Sequence, residues 1–359
     1  MVVHAPVRQP SFDFIRVAAA LAVLYSHSFA LYGLPEPQVA ELGENVGTLA
    51  VTVFFAVSGF LICQSWEHDS HVTRFAVRRA LRILPGLFVA DAFTTFIAGA
   101  ISTRLPLAEY LTSRTTWAYF INNVFLIAGV FSPAGAFEDT PHQGANGSLW
   151  TLRYEVLMYA MLALVALTAR LRAFCVGAFL VFAISWVAMA AWQVRDYSLP
   201  LPLVWRVGLE FDAYRIARLG AFFFGGSCLF LFRRRVPVST VAAGMLLVAC
   251  LTVPSDWAVP TLIVAVPYLT FVAAHRLPAR LVDVRGWDLS YGIYIYAFPV
   301  QQLVSGFCLE HGLGWFISLA MSTAITLALA AMSWRVVERP ALRLKERLGT
   351  APWRVALAK

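Results

Sequence analysis

The sequence has 359 residues, of which 60% are hydrophobic and only 13% are charged. Soluble domains carry about 25% charged residues, so one soluble core cannot hide this much apolar surface and lipid must cover the rest. The net charge of +8 comes from short basic clusters between apolar runs. Such clusters are typical of cytoplasmic loops, so we expect a lipid bilayer as partner and no nucleic acid.

Residues 1–359 contain no polar stretch long enough to form a soluble domain. We therefore predict a single integral membrane domain with a short cytoplasmic tail from about residue 336. The first apolar run is too long for a cleavable signal and is interpreted as a retained span. The five cysteines show neither CxxC nor histidine-rich spacing, which argues against a metal site and a disulfide framework.

Apolar segments long enough to span a bilayer recur along the whole chain. A span needs about 20 mostly apolar residues. The ten segments are 13–33, 46–65, 84–101, 148–168, 173–193, 215–232, 237–253, 257–274, 288–308 and 313–334. They predict an all-α, polytopic transmembrane helical bundle. A shorter apolar segment, 117–131, begins after Arg114 and is predicted to be re-entrant or interfacial, which is acceptable at membrane depth if protein buries it.

Basic residues favour ten spans over eleven. With ten crossings, the loops on one side and the two termini hold most of the arginines and lysines, which predicts that this side, with both termini, is cytoplasmic. If 117–131 also crossed, everything after it would invert, and the triplet Arg233–Arg235 would lie outside. An eleventh span is kept as the alternative.

Ionisable side chains within spans need a partner, a cavity or a function. Arg16 and His27 are eleven residues apart on the first span, hence on one helix face and about 16 Å apart. Glu155 is seven residues into the fourth span, about 10 Å from the outer surface, which is also the depth predicted for His27. Histidine can accept a hydroxyl proton near neutral pH, and a carboxylate can orient it. The two form either a catalytic pair or a structural pair that joins two helices.

Three other charged positions have open interpretations. Arg16 by itself is also explained by snorkelling to the inner interface. Asp91 in the third span is expected either to pair with an arginine or to face a cavity, and no role is assigned to it. The run 78–82 contains Arg79 and Arg82, which would face the same way on a helix. It either contacts anionic lipid headgroups or clamps a phosphate group.

Seven segments, in order along the chain, are similar to those of one known family. They are Arg16 with His27, the run 53–62 (VFFAVSGFLI), the run 78–85 (RRALRILP), the run 147–155 (GSLWTLRYE), the run 290–294 (SYGIY), the run 298–300 (FPV) and the run 337–340 (VERP). Together they resemble the bacterial membrane-bound acyltransferase family 3, of the polysaccharide O-acetyltransferase type. Any one segment is weak evidence in an apolar protein, but together they occur in the family's order and span nearly the whole chain.

Two positions depart from the family pattern. Ala297 stands where many members have a histidine, so nothing catalytic is assigned there. Arg153 replaces a small or polar residue, and it could bind an acidic acceptor or neutralise Glu155. The chain is also expected to lack the extracytoplasmic hydrolase-like domain that is fused to some relatives.

The resemblance implies an enzyme of the bacterial inner membrane. It would move an acyl group, usually acetyl, from cytoplasmic acyl-CoA to a hydroxyl of an exopolysaccharide, lipopolysaccharide or lipid-linked sugar. Acetyl-CoA would be a co-substrate, and no cofactor would be permanently bound. The expected catalytic residues are His27 as general base and Glu155, which orients it. The expected substrate-binding residues are Arg16, Arg79, Arg82, Arg153 and Ser58.

The alternative function is a transporter or flippase of a lipid-linked sugar, since charges within the membrane also mark substrate pathways. Transporters commonly contain repeats with broken helices, and the sequence shows no convincing internal repeat. The acceptor glycan is not identified by the sequence.

Overall fold

The computed structural model describes residues 10–127, 129–166, 170–194, 211–278 and 286–349. Several basic residues counted for the orientation lie outside the described residues: Arg8, Arg195, Arg206, Arg280, Arg285, Arg354 and Lys359. So do the last two residues of the predicted span 148–168.

The described residues are almost entirely helical. In chain order the helices are α1 (Pro10–Ala30), α2 (Val46–His68), α3 (Val72–Phe93), α4 (Gly99–Ser102), α5 (Leu107–Thr112), α6 (Arg114–Val124), α7 (Trp150–Ala166), α8 (Leu171–Ala191), α9 (Ala213–Leu231), α10 (Thr240–Thr252), α11 (Ala258–Arg276), α12 (Ser290–Glu310), α13 (Trp315–Ser333) and α14 (Arg339–Gly349). Single π-helical turns, Thr94–Ala98 and Trp334–Glu338, join α3 to α4 and α13 to α14. A short hairpin pairs two strands of two residues each, β1 (Gln38–Val39) and β2 (Glu44–Asn45).

Seven described helical segments are long and apolar enough to cross a membrane. They correspond to seven of the ten predicted spans, and they confirm the prediction of an all-α, multi-pass membrane protein. The other three predicted spans correspond to α7, α9 and α10, which are helical but shorter or less apolar. The number ten therefore stays a prediction.

Helix α2 is apolar along most of its length and packs against α1, α9 and α11. It begins at Val46 and is capped by Asn45, whose side chain accepts a hydrogen bond from the Thr48 backbone N–H at 2.6 Å, as is typical of a helix N-terminus. Helix α9 begins in the same way, with the Asp212 carboxylate accepting from the Arg215 N–H at 2.7 Å. These two helices pack closely, and their buried aromatic residues form much of the main core.

The third span begins earlier than predicted. Helix α3 starts at Val72 and continues through Pro85, and the helical run ends at Ser102. The arginine run 78–82 therefore lies inside a helix and not in a loop beside one. No glycine or proline interrupts residues 72–84, and neighbouring carboxylates and aromatic rings accommodate the arginines, so the charges do not end the helix.

Segment 117–131 divides into two parts. Its first part belongs to α6, which begins at Arg114 and ends at Val124. Eleven residues rise about 16 Å, roughly half of a bilayer core, so α6 is too short to be an eleventh span. The chain after α6 is non-helical up to α7 over its described residues. Its return to the bundle is visible in Asn146, whose side chain donates to the Ile295 carbonyl at 2.9 Å.

Candidate active site

Two of the predicted arginines converge on one carboxylate at the end of the bundle where α1 and α12 begin. Asp288 accepts hydrogen bonds from Arg16 at 3.0 Å and from Arg82 at 2.6 Å, both on the same oxygen. Its other oxygen accepts from the Ser290 hydroxyl at 2.6 Å. Burial opposes the ionisation of Asp288, but the two guanidinium groups hold the pKa of this carboxyl well below its usual range.

Arg82 also lies near a second carboxylate and an aromatic ring. Its guanidinium lies 3.8 Å from the Glu338 carboxylate and 5.6 Å from the centre of the Tyr291 ring. Glu338 in turn accepts from the Ser333 hydroxyl at 3.0 Å. Arg16 and Arg82 therefore already have acidic partners, in contacts that the sequence did not predict.

Arg79 differs from these two arginines. Among the described residues it makes no ion pair within 4 Å, and its Nε is buried without a hydrogen-bond partner. Its guanidinium lies 5.7 Å from the Phe75 ring and 6.0 Å from the Tyr159 ring. Arg79 and Arg82 thus make different contacts although they are only three residues apart. Of the three predicted substrate-binding arginines at this end of the bundle, Arg79 is the one without a carboxylate partner within 4 Å in the described ranges, and its Nη2 donates to the Ser65 hydroxyl at 3.5 Å.

Glu155 is part of a hydroxyl network. It accepts from the Ser58 hydroxyl at 2.9 Å and from the Tyr159 hydroxyl, one helical turn further along α7. Ser58 and Tyr159 are also 2.9 Å apart. A cavity of about 50 Å³ is lined by Ser58, Glu155, Arg16 and Tyr294. The structure therefore brings three of the predicted site residues together around one small cavity, which we call the inner cavity.

His27 lies in a different place. It lines a cavity of about 390 Å³, which we call the middle cavity, together with Glu36 and Trp150. Its ring meets the Phe298 ring edge-on, with 5.3 Å between the centres, and its Nδ1 has no hydrogen-bond partner. No hydrogen bond connects His27 with Glu155 among the described residues.

The structure does not place Glu155 beside His27, because the two residues line different cavities. Helix α7 begins at Trp150, and it is Trp150 that lies beside His27 in the middle cavity. Glu155 is five residues further along, about 7.5 Å by helical rise. His27 in turn lies three residues before the end of α1 at Ala30, so the equal depth of the two residues in the bilayer stays a prediction.

Glu36 is the acidic residue that sequence reasoning missed at this site. Its carboxylate accepts from the Ser26 hydroxyl at 2.5 Å and lines the middle cavity with His27. Glu36 and His142 are the ionisable groups that act on His27 electrostatically. The available signal was an acidic residue between two prolines directly after the first span, a short connection that keeps it near the end of α1.

Arg153 lines a third cavity of about 200 Å³, the outer cavity, with Trp150, Arg215 and His142. Its guanidinium lies 5.5 Å from the centre of the neighbouring Tyr154 ring. Arg153 and Glu155 are two residues apart on a helix and so point in different directions, and they line different cavities. The structure therefore gives no support to the interpretation that Arg153 neutralises Glu155.

The three cavities are neighbours that share lining residues. Val51 and Tyr294 line both the inner and the middle cavity, and Trp150 and Arg215 line both the middle and the outer one. Asp91 does not pair with an arginine among the described residues, because both of its carboxylate oxygens are buried without a hydrogen-bond partner. Within the described ranges, no three His, Cys, Asp or Glu side chains come together as a metal site.

A multi-pass helical bundle whose interior carries a histidine, carboxylates and arginines along neighbouring cavities is a membrane enzyme or a transporter. Sequence comparison decides between these classes. Residues 9–335 match the family model described as acyltransferase domain, so the chain belongs to this family and is an acyltransferase.

Individual relatives agree with this assignment. The O-acetyl transferase of Shigella phage Sf6 is 31% identical over 334 residues, which cover 91% of this chain and 94% of the phage protein. Nodulation protein 10 of Rhizobium leguminosarum bv. viciae is 28% identical over 96% of both chains. The exopolysaccharide production protein ExoZ of Rhizobium meliloti (strain 1021) is 26% identical, over 83% of this chain and 90% of that protein. No solved structure matches the chain significantly.

Proposed function

We propose that this acyltransferase moves an acetyl group from acyl-CoA, bound on the cytoplasmic side of a bacterial inner membrane, to a hydroxyl of an extracytoplasmic glycan. The observation that carries the proposal is the series of three neighbouring cavities, lined in turn by Arg16 and Ser58, by His27 and by Arg153. A donor and an acceptor approaching from opposite sides could meet along this series. The names of the phage O-acetyl transferase and of the exopolysaccharide production protein support acetyl as the group and a polysaccharide as the acceptor.

The donor enters, in this proposal, on the side of Arg79. A guanidinium without a carboxylate partner suits an anionic phosphate of coenzyme A, because its planar N–H groups match phosphate oxygens. Arg16 and Arg82 are held by Asp288, so their part is to position α1 and α3 beside the entrance. The thioester then reaches the inner cavity, where Ser58 and Tyr159 are held in place by Glu155.

His27 acts as the general base on the acceptor. Its imidazole takes the proton of the acceptor hydroxyl while the hydroxyl oxygen forms a bond to the acetyl carbonyl carbon. The carbon–sulfur bond of the thioester then breaks, and the proton passes to the departing thiolate to give coenzyme A. Glu36 lies in the cavity of His27 and stabilises the imidazolium, the role that the sequence analysis gave to Glu155.

The test uses purified protein in lipid nanodiscs with radiolabelled acetyl-CoA and a bacterial polysaccharide fraction. His27→Ala should lower the rate of acetyl transfer at least about 100-fold, as expected for loss of a general base. Binding of acetyl-CoA should be nearly unchanged, because His27 is not on the donor side. His311→Ala is the matched control, since His311 is exposed and contacts only its own helix.

Two results would contradict the proposal. One is a folded His27→Ala protein that transfers acetyl groups at the wild-type rate. The other is wild-type protein that leaves acetyl-CoA intact while moving a lipid-linked sugar across the membrane, which would establish the transporter alternative instead.

A further inference from the structure

The outer cavity carries positive charge without a balancing acid. Arg153 and Arg215 line it, and none of its lining residues is an aspartate or a glutamate. The remaining polar lining includes Asn123, Asn146 and His142. Two guanidinium groups without a balancing acid suit an anion.

Arg215 does not need its side chain for the fold of its own helix. Asp212 accepts a hydrogen bond from the Arg215 backbone N–H, while the guanidinium lies over the Trp150 ring at 4.7 Å from its centre. Within the described part of the chain, Arg215 has no carboxylate within 4 Å. The nearby Arg153 has its Nε buried and without a partner. Among the described residues, neither guanidinium group at the cavity wall is therefore paired with an acid.

Arg218 gives a second, independent indication of an anionic ligand. It lies one turn after Arg215 on α9, and only 9% of the residue is exposed. One of its nitrogens pairs with the Glu44 carboxylate at 3.0 Å, but its Nε and Nη2 are buried without hydrogen-bond partners. Arg218 lines the middle cavity, which also contains His27. A buried guanidinium with two unused donors is costly unless a ligand completes it.

We infer that Arg153, Arg215 and Arg218, which we call the arginine cluster, bind an anionic oxygen group of the acceptor, either a carboxylate or a phosphate. The inference rests on the proposed function, because it concerns the acceptor of that reaction. An acidic sugar or a sugar phosphate held by Arg215 is at the boundary of the middle and outer cavities. A neighbouring hydroxyl of the same sugar then lies on the side of His27. Binding of the anionic group therefore also positions this hydroxyl for acetyl transfer.

The experiment measures binding and transfer separately, in nanodiscs made of neutral lipid so that no lipid phosphate competes as a net anion. The probes are trigalacturonate, the neutral galactotriose, and galactose joined to citronellyl diphosphate. For whichever anionic probe binds, Arg215→Gln should weaken the affinity at least about tenfold, as loss of a charge-assisted hydrogen bond implies. The affinity of Arg215→Gln for galactotriose should equal that of the wild type. Arg215→Lys keeps the charge, so its affinity for the anionic probe should lie between those of the wild type and of Arg215→Gln.

The matched control is Arg234→Gln, because Arg234 is exposed and lies beyond the other end of α9. This variant should bind every probe as tightly as the wild type does. Preference for trigalacturonate identifies a carboxylate ligand, and preference for the diphosphate identifies the carrier phosphate. The inference is overturned if galactotriose binds as tightly as both anionic probes, or if Arg215→Gln folds and keeps full affinity for them.

The binding measurement needs no acetyl-CoA, so failures of the two proposals can be distinguished. If the anionic probe binds through Arg215 but no probe is acetylated, the proposed function fails while the anion site stands. If acidic and neutral probes are acetylated equally well and Arg215→Gln changes neither rate, the anion site fails while the proposed function stands.

Discussion

Asp288 connects three parts of the chain through single side-chain contacts. Arg16 on α1 and Arg82 on α3 share one of its oxygens, and Ser290 at the start of α12 donates to the other. The two arginines would repel each other without the carboxylate between them. Removing one partner of a buried ion pair costs about 3–5 kcal/mol, because the remaining charge stays buried without compensation.

Asp288→Asn should therefore destabilise the protein strongly at neutral pH. The pKa of Asp288 is lowered in the folded state, so its contribution is complete above the pKa of the unfolded carboxyl, about 4, and is lost as the pH falls towards the folded value. The difference in thermal stability between wild type and Asp288→Asn should be constant from about pH 8 to 5 and narrow below about pH 4. Unfolding followed by tryptophan fluorescence in detergent measures it.

Asp256→Asn serves as the control for this substitution, because Asp256 is exposed. Asp256→Asn should leave the midpoint of thermal unfolding nearly unchanged at every pH. A stability difference for Asp288→Asn that grows on acidification from pH 7 to 5 would show that the ion pair does not have the assigned role.

Helices α2 and α9 approach closely because glycine occurs on both at the contact. A Cβ added to Gly59 would overlap the backbone carbonyl of Phe223, and one added to Gly226 would overlap the carbonyl of Ala56. The obstacle is backbone on both sides, which cannot move without shifting a whole helix. Contact through small residues is a common way for helices to pack within membranes. Here it places Ser58, the neighbour of Gly59, against Glu155 on α7.

Gly59→Ala should therefore destabilise the bundle by about 1–3 kcal/mol or more, as overpacking does, and should lower acetyl transfer by displacing Ser58. Gly244→Ala on α10 is the matched control. Nothing lies within 4 Å of a Cβ at Gly244, and alanine is the better helix former by about 1 kcal/mol. Thermal unfolding and acetyl transfer of both variants provide the comparison, and equal behaviour would refute the close contact of α2 with α9.

At the scale of the whole molecule, α2 separates two loops that have different functions in the proposal. The loop of residues 31–45 carries Glu36 and lies next to the middle cavity. The loop of residues 69–71 follows α2 and precedes the helix that holds Arg79. The 23 residues of α2 rise about 34 Å, which matches the thickness of a bilayer core.

Cysteines introduced at Leu34 and Ser70, both exposed, should therefore react with a membrane-impermeant maleimide from opposite sides. Leu34→Cys should react in intact spheroplasts and Ser70→Cys only in inverted vesicles, since the proposal places donor binding in the cytoplasm. The parent protein provides the background, because four of its five cysteines are buried. Labelling of both positions from one side would contradict the orientation and, with it, the path from donor to acceptor.

Several features of the site were predictable because they depend on one helix at a time. Arg16 and His27 belong to a single helix, so their spacing follows from helical geometry alone. The apolar segments predicted the all-α membrane bundle, because the backbone must satisfy its own hydrogen bonds in lipid. The ordered motifs predicted the acyltransferase family, which the family model confirms.

Contacts between helices were decided only by the tertiary structure. Hydropathy places a helix in the bilayer but does not state which helix lies beside it or which way it is rotated. For this reason Glu155 was predicted to meet His27 but contacts Ser58 and Tyr159, and Glu36 was not singled out although it shares the cavity of His27. By itself the sequence determined the fold class, the family and the residue types of the site. Their pairing required the lateral packing of helices that are distant in sequence, which no local pattern encodes.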